Sequence, residues 1–276
     1  MHLLQIDWDP IKSLDLGFFE LHFYSVMWII AFVLGLYVTK RIWKNENLTS
    51  DSLDSLFIYS VLGIMIGARL GHVIFYQSEL FKDDFFSIFL PFSFKDGIRF
   101  TGFAGLASHG AAIGMIIAMY LYNKRVLKKS LLWILDRVVM ATALGAIFVR
   151  IGNFINSEIV GTKTDSALGV IFRQNGESFA RHPAQLYEAF CYIFVFLILM
   201  YFYWKTNKSK QEGFLFGLFL VFLWTIRFFI EFIKEAQVEG RDDYVWFMNT
   251  GQVLSVPFIL IGLYFMFLYR PKKIVE

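Results

Sequence analysis

Seven stretches of the chain stay apolar long enough to cross a bilayer: 21–39, 55–77, 102–122, 131–149, 187–204, 213–233 and 252–270. A spanning helix needs roughly 20 such residues. The pattern therefore predicts an all-α polytopic membrane protein with seven transmembrane helices. No Gly/Ser-rich linker interrupts the 276 residues, so a single domain, 1–276, is expected.

The polar positions between the runs are uneven. Lys40, Arg41 and Lys44 follow the first run. Lys124, Arg125, Lys128 and Lys129 follow the third, Lys205, Lys208 and Lys210 the fifth, and Arg270, Lys272 and Lys273 the seventh. These basic segments alternate with longer, less densely basic ones. The positive-inside rule then places them in the cytoplasm, with the N-terminus outside and the C-terminus inside. An odd number of spans is required, in agreement with the count of seven. The connection at about 150–187 falls outside. Its polar, Gly-containing stretch "GTKTDSALGVIFRQNGESFARHP" holds one strand-like run, "LGVIF". A small ordered cap between the fourth and fifth helices is expected there.

Polar groups inside the runs cluster toward one leaflet. On this topology Tyr24, Arg69, His72, Arg150, Arg227 and Glu231 all lie in outer halves or at outer ends. His109 sits about 10 Å from the outer end of its helix at helical rise. Asp136 and Arg137 alone lie on the inner side, where a structural role is expected. Charges at membrane depth are costly unless paired or hydrated, so each raises a functional hypothesis. Arg227 and Glu231 are four apart and share a helical face, where they can neutralise each other.

Composition narrows the chemistry. The chain is 57% hydrophobic with 33 Phe, and its net charge is only +3. A nucleic-acid partner is not expected. One cysteine, Cys191, excludes an internal disulfide framework and a cysteine metal cluster. The first 20 residues carry four acids and one lysine, unlike the basic start of a cleaved signal peptide. No P-loop, HExxH or Gly-x-Ser-x-Gly motif occurs, and the five histidines lack metal-ligand spacing. No metal and no cofactor are expected, and any nucleophile arrives with a substrate. Three arginines in the outer leaflet can grip phosphate, and a phospholipid head group is the phosphate at that depth. Asn153 and Asn156 can donate to ester or glycerol oxygens.

The polar packet "RIGNFINSEIVG", from Arg150 to Gly161, closely resembles the signature of the bacterial prolipoprotein diacylglyceryl transferases: Gly-Arg-x-Gly-Asn-Phe-x-Asn-x-Glu, then a Gly. "GARLGHVIFY", "GLASHGAAIG", "RHPAQLYEA" and "RFFIEF" resemble four more motifs of that family in the same order. Four departures occur. Val149 replaces a Gly, His72 a Tyr, Ala111 a Gly and Leu168 a Trp, and none removes a charged group.

The resemblance implies an activity. The diacylglyceryl group of phosphatidylglycerol would move to the thiol of the lipobox cysteine in a prolipoprotein signal peptide. A thioether would form and glycerol phosphate would leave, the first step of lipoprotein maturation. The implied setting is the bacterial cytoplasmic (inner) membrane, with membrane lipid as partner. His109, Arg150 and Arg227 are the expected catalytic residues: His109 as base, the arginines on the phosphate. Tyr24, Arg69, Asn153, Asn156, Glu158, Glu231 and His182 are expected to bind lipid or orient the arginines. Gly161 is expected to permit a tight turn. The rival is an outward-facing phospholipid-binding or transport protein without transferase chemistry. Transporter sites lie nearer the midplane, which disfavours it.

Overall fold

The computed structural model describes residues 5–17, 20–90, 92–95, 97–100, 105, 107–235 and 248–270. In chain order they form β1 (Ile6–Trp8), β2 (Ser13–Asp15), β3 (Glu20–His22), α1 (Phe23–Asn45), α2 (Ser50–Tyr76), the single turn α3 (Leu80–Asp83), β4 (Phe92–Ser93) and β5 (Arg99–Phe100). Then follow α4 (Ser108–Tyr122), α5 (Leu131–Ile155), β6 (Val170–Phe172), α6 (Ala184–Lys205), α7 (Phe214–Ile230) and α8 (Thr250–Leu263). The protein is mostly helical. Six helical segments are long and apolar enough to cross a membrane: Phe23–Asn45, Ser50–Tyr76, Leu131–Ile155, Ala184–Lys205, Phe214–Ile233 and Thr250–Leu268. The remaining apolar run is helical over Ser108–Tyr122 and continues as a π turn, Asn123–Leu127. Residues 102–104, where the sequence expected that helix to begin, lie outside the described residues.

Several helix ends differ from the apolar runs. α1 continues to Asn45, so Lys40, Arg41 and Lys44 are helical. α5 continues to Ile155, so Arg150 and Asn153 belong to a helix rather than to a connection. Hydropathy reports where lipid ends, whereas a helix ends where its backbone finds other partners. Long basic side chains extend a helix readily past the hydrocarbon.

The chain forms two compact units, Met1–Thr39 with Leu135–Glu276, and Lys40–Ile134. In the first unit the helices turn their polar groups inward. α6 buries Gln185, Glu188, Tyr192 and Tyr203 and exposes Phe190, Phe194, Leu197 and Tyr201. That arrangement suits a lipid solvent, in which an unsatisfied polar group is the expensive one. α7 begins where Asp136 of α5 accepts the N–H groups of Gly213 (2.7 Å) and Phe216 (2.8 Å). A buried carboxylate thus satisfies donors that every helix start leaves open. Arg137 donates to the Ser209 carbonyl at 3.2 Å. Asp136 and Arg137 thus both hold the fold together. α8 opens with a reciprocal capping box between Asn249 and Gln252.

The connection between α5 and α6 is folded. β6 pairs in parallel with β1 near the N-terminus, Ile6 opposite Val170 and Trp8 opposite Phe172. The Trp8 indole donates to the Phe154 carbonyl at 3.1 Å, and Phe154, Val170 and Phe172 form a buried cluster.

The second unit is built on α2 and α4. Gly63, Gly67 and Gly71 of α2 face Gly110, Gly114 and Ala118 of α4. A Cβ added to Gly71 would lie 2.7 Å from the Gly110 Cα. With no side chains between them the backbones touch, the small-residue packing that membrane helices favour.

Candidate active site

A chain of side-chain contacts links the end of α5, the following turn and the start of α6. Arg150 Nε forms an ion pair with Glu188 of α6, whose side chain is 1% exposed. Arg150 Nη1 donates to Asn153 Oδ1 at 3.2 Å. Asn153 Nδ2 donates to Glu158 Oε1 at 2.6 Å. Gln185, fully buried, closes the circuit by donating to the Glu158 carbonyl at 2.6 Å. The Tyr192 hydroxyl lies beside Arg150, where it can accept from the guanidinium.

Spacing explains the geometry. Arg150 and Asn153 are three apart on α5, as are Gln185 and Glu188 on α6, so each pair shares a face. Tyr24 of α1 packs against α5 at Gly152, where an added Cβ would lie 2.7 Å from its ring. Glu158 sits between two residues with left-handed backbone, Ser157 (φ 57) and Ile159 (φ 60). That conformation is unusual for a β-branched isoleucine and costs about 1–3 kcal/mol. Such strain concentrates where a turn must present a particular group. Asn156 is half-buried just beyond α5, where its N–H reaches the Gly152 carbonyl at 3.0 Å.

Gly161 has no left-handed backbone, and the expected tight turn is corrected. The left-handed residues are Ser157 and Ile159. At Gly161 the chain is instead sandwiched between two others. A Cβ there would lie 2.6 Å from the His182 carbonyl oxygen and 2.6 Å from that of Ile233. The Gly161 N–H donates to the His182 carbonyl at 2.9 Å, and Gly161 bridges Lys234 on its other side. His182 therefore positions Gly161 through its backbone, while its ring meets the Tyr187 hydroxyl at 3.3 Å.

Arg227 lies with its guanidinium 5.5 Å from the Trp224 ring. Its Nε is buried with no hydrogen-bond partner among the described residues, and the same holds for Glu231 Oε2. Glu231 packs its carboxylate against Gly251 at the start of α8. No ion pair joins Arg227 to Glu231 among the described residues, although they share a face.

The second unit holds Arg69 and His109. Arg69 is buried, and its donors go to backbone carbonyls: Nε to Ile88 at 3.2 Å, Nη2 to Ser87 at 3.0 Å and Nη1 to Gly105 at 3.5 Å. It ties the segment after α2 to the approach to α4. His109 is exposed in the first turn of α4, beside buried Gly110. His72 packs its ring on Tyr76, centroids 5.3 Å apart, and against Gly105, whose φ is +82°.

The family model for prolipoprotein diacylglyceryl transferase matches residues 12–268. The chain belongs to this family. It is 39% identical to the phosphatidylglycerol–prolipoprotein diacylglyceryl transferase of Bacteroides fragilis, over 99% of each chain. It is 38% identical to that of Tolumonas auensis, covering 96% of this chain and 97% of the relative. With that of Porphyromonas gingivalis it shares 36% identity, covering 94% and 92%.

Within this family member, Glu188, Gln185, Tyr192 and Lys234 complete the polar cluster, and none was singled out from the sequence. Glu188 did carry a signal. It lies at the mouth of an apolar run, where an acid needs a partner. Lys234 follows the short 310 turn Glu231–Ile233. Burial is the main influence pressing its ammonium below the usual lysine range. Glu188 and Glu231 oppose that effect, while Arg150 and Arg227 reinforce it.

Proposed function

We propose that the chain transfers the diacylglyceryl group of phosphatidylglycerol to the lipobox cysteine thiol of prolipoproteins, as the names of its relatives state for them. The observation that carries the reading is the Glu188–Arg150–Asn153–Glu158 chain of contacts, buried at Glu188 and Asn153 and open at Glu158, with Arg227 and Lys234 in electrostatic reach, in a member of this family. Charge builds on the departing phosphodiester oxygen as the glycerol carbon moves to sulfur. Fixed cations stabilise that charge without reorganising. The thiol reacts as thiolate, so a base assists, and His109 takes that role. Tyr24, Asn153, Asn156, Glu158 and Glu231 position lipid or hold the arginines. Gly161 and His182 align the strand beside them, and Arg69 shapes the approach in the second unit.

The chain is read as one membrane-embedded domain of seven spans in the inner membrane. The N-terminus is outside, the C-terminus is in the cytoplasm, and the 150–187 segment forms a cap over the site. The decisive experiment incubates purified protein with phosphatidylglycerol and a lipobox peptide. Mass spectrometry then looks for the diacylglyceryl thioether. Failure to form it in a correctly folded preparation sinks the reading.

Orientation has its own test. In a Cys191→Ala background, single cysteines replacing Asn45 or Asn207 should resist an impermeant thiol reagent on intact cells. One replacing Asp165 should react. Labelling at Asn207 from outside would reverse the assignment.

Cys191 supplies a second check. It is half-buried on α6, and the reacting sulfur belongs to the prolipoprotein. Cys191→Ala should retain activity close to that of the parent, because this thiol takes no part in the transfer. Loss of turnover in a folded Cys191→Ala protein would require a covalent enzyme intermediate instead.

A further inference from the structure

We propose that Lys234 is a third cation of the phosphate site, holding the anionic head group beside Arg150 and Arg227. This deepens the transferase reading and rests on it.

Position is the first argument. Lys234 is held by strand-like pairing. The Thr162 N–H donates to the Ile233 carbonyl at 2.8 Å, and the Glu235 N–H to the Val160 carbonyl at 3.2 Å. The segment it pairs with, 160–162, leads directly from the strained turn that presents Glu158. Glu235, next in the chain, is tied down by an ion pair to buried Arg181, which also binds Glu177 at 2.7 Å. The lysine backbone is thus fixed from two sides.

Charge is the second argument. Lys234 is half-buried, and its charge lies within electrostatic reach of Arg150 on α5, Glu188 on α6, Arg227 on α7 and Glu231 in the turn that follows α7. Tyr192 joins the same cluster through Arg150. Glu158 is exposed and already bonded to Asn153, and Glu235 is paired with Arg181. Of the charged groups that act most on Lys234, two are permanent cations and two are carboxylates. With Lys234 protonated the cluster carries one net positive charge, enough to match the single negative charge of a phosphodiester. With Lys234 neutral it carries none. Arginine stays charged at any working pH, so lysine alone among the three cations can titrate.

The sign follows. As pH rises through the lowered lysine pKa, the ammonium is lost and affinity for an anionic lipid falls. A bound phosphodiester favours the charged form and opposes that loss.

The test measures equilibrium binding of fluorescent phosphatidylglycerol to the full-length protein in maltoside micelles. It compares wild type, Lys234→Met and Lys234→Arg from about pH 7 to about pH 10, a range that lies below the free lysine value of about 10.4. At neutral pH, Lys234→Met should bind about 10-fold more weakly, the low end for a lost charge-assisted hydrogen bond. Lys234→Arg should stay within about threefold, and should lose the alkaline decline that wild type shows. Fluorescent diacylglycerol, which lacks phosphate, should bind all three alike.

Three results overturn the proposal: wild-type affinity in Lys234→Met, equal weakening in Lys234→Arg, or an alkaline decline preserved in Lys234→Arg. Rescue by arginine separates charge from folding. Wild type that forms no thioether would instead overturn the transferase reading, which the binding data do not decide.

Discussion

Replacing Arg150 or Arg227 by lysine should slow transfer by roughly 10- to 150-fold, mainly in kcat at saturating phosphatidylglycerol. Arginine offers five donors in a planar fork, and lysine offers a point charge. The network shows how that fork is used at position 150. One nitrogen is committed to Glu188 and another to Asn153. A lysine cannot serve both and still reach a phosphate. At position 227 the buried Nε has no partner among the described residues, so a donor stands ready. A charge-assisted hydrogen bond is worth about 1.5–3 kcal/mol, which gives the stated range in rate. The loss falls on kcat because the interaction strengthens as charge builds on the leaving oxygen.

Arg69→Lys is the comparison. Its donors rest on the carbonyls of Ser87, Ile88 and Gly105, so it should lose less activity while loosening the segment it ties. Arg150→Met is a different matter. It strands the buried Glu188 carboxylate, and breaking such a pair costs about 3–5 kcal/mol of stability. Rates of glycerol phosphate release against lipid concentration, with folding checked by thermal unfolding, separate these cases. Full kcat in both lysine variants would refute a phosphate clamp.

Gly161→Ala should abolish most activity, with a loss of at least about 10-fold and a stability cost of about 1–3 kcal/mol, the usual range for overpacking. The new methyl would meet backbone oxygens of His182 and Ile233, both at 2.6 Å. Neither is the tip of a flexible side chain, so relief requires two chain segments to part. That movement carries Lys234 and the turn of Glu158 with it. Gly176→Ala is the control. Its φ is +73°, but an added Cβ meets nothing within 4 Å. It should cost only backbone strain, about 1 kcal/mol, and leave transfer intact. Comparing the two by thioether yield and by protease resistance in detergent tests the sandwich directly. Equal activity in both variants would show that the spacing at Gly161 is not needed.

Much of this was legible in the chain. Six helical segments capable of crossing a membrane lie where long apolar runs lie, because a bilayer imposes length and composition on a segment one at a time. Arg150, Asn153 and Glu158 could be grouped because they are neighbours in sequence. Glu188 could not, since its partner is on another helix and periodicity says nothing of pairing. Lys234 was hidden by a different cause. It lies just past a helix, where a lysine ordinarily reads as solvated, and only the strand-like pairing to Gly161 brings it inward. Gly161 itself was flagged, but for a turn. A single sequence marks where a side chain is refused without saying whether conformation or a neighbour refuses it.

The joint between Asp136 and the start of α7 acts as a datum for depth. Arg150 lies 14 residues beyond Asp136 on α5, and Arg227 lies 14 residues beyond Gly213, whose N–H that carboxylate holds. At 1.5 Å per residue both guanidinium-bearing positions stand about 21 Å above one shared reference point. Two helices of different sequence thereby deliver their cations to a common level, measured from the start of α7. One residue inserted into either helix between datum and arginine would raise that arginine by about 1.5 Å and swing it about 100° around the axis. Levelling the pair is thus the work of an aspartate about 21 Å from both positions along the helices.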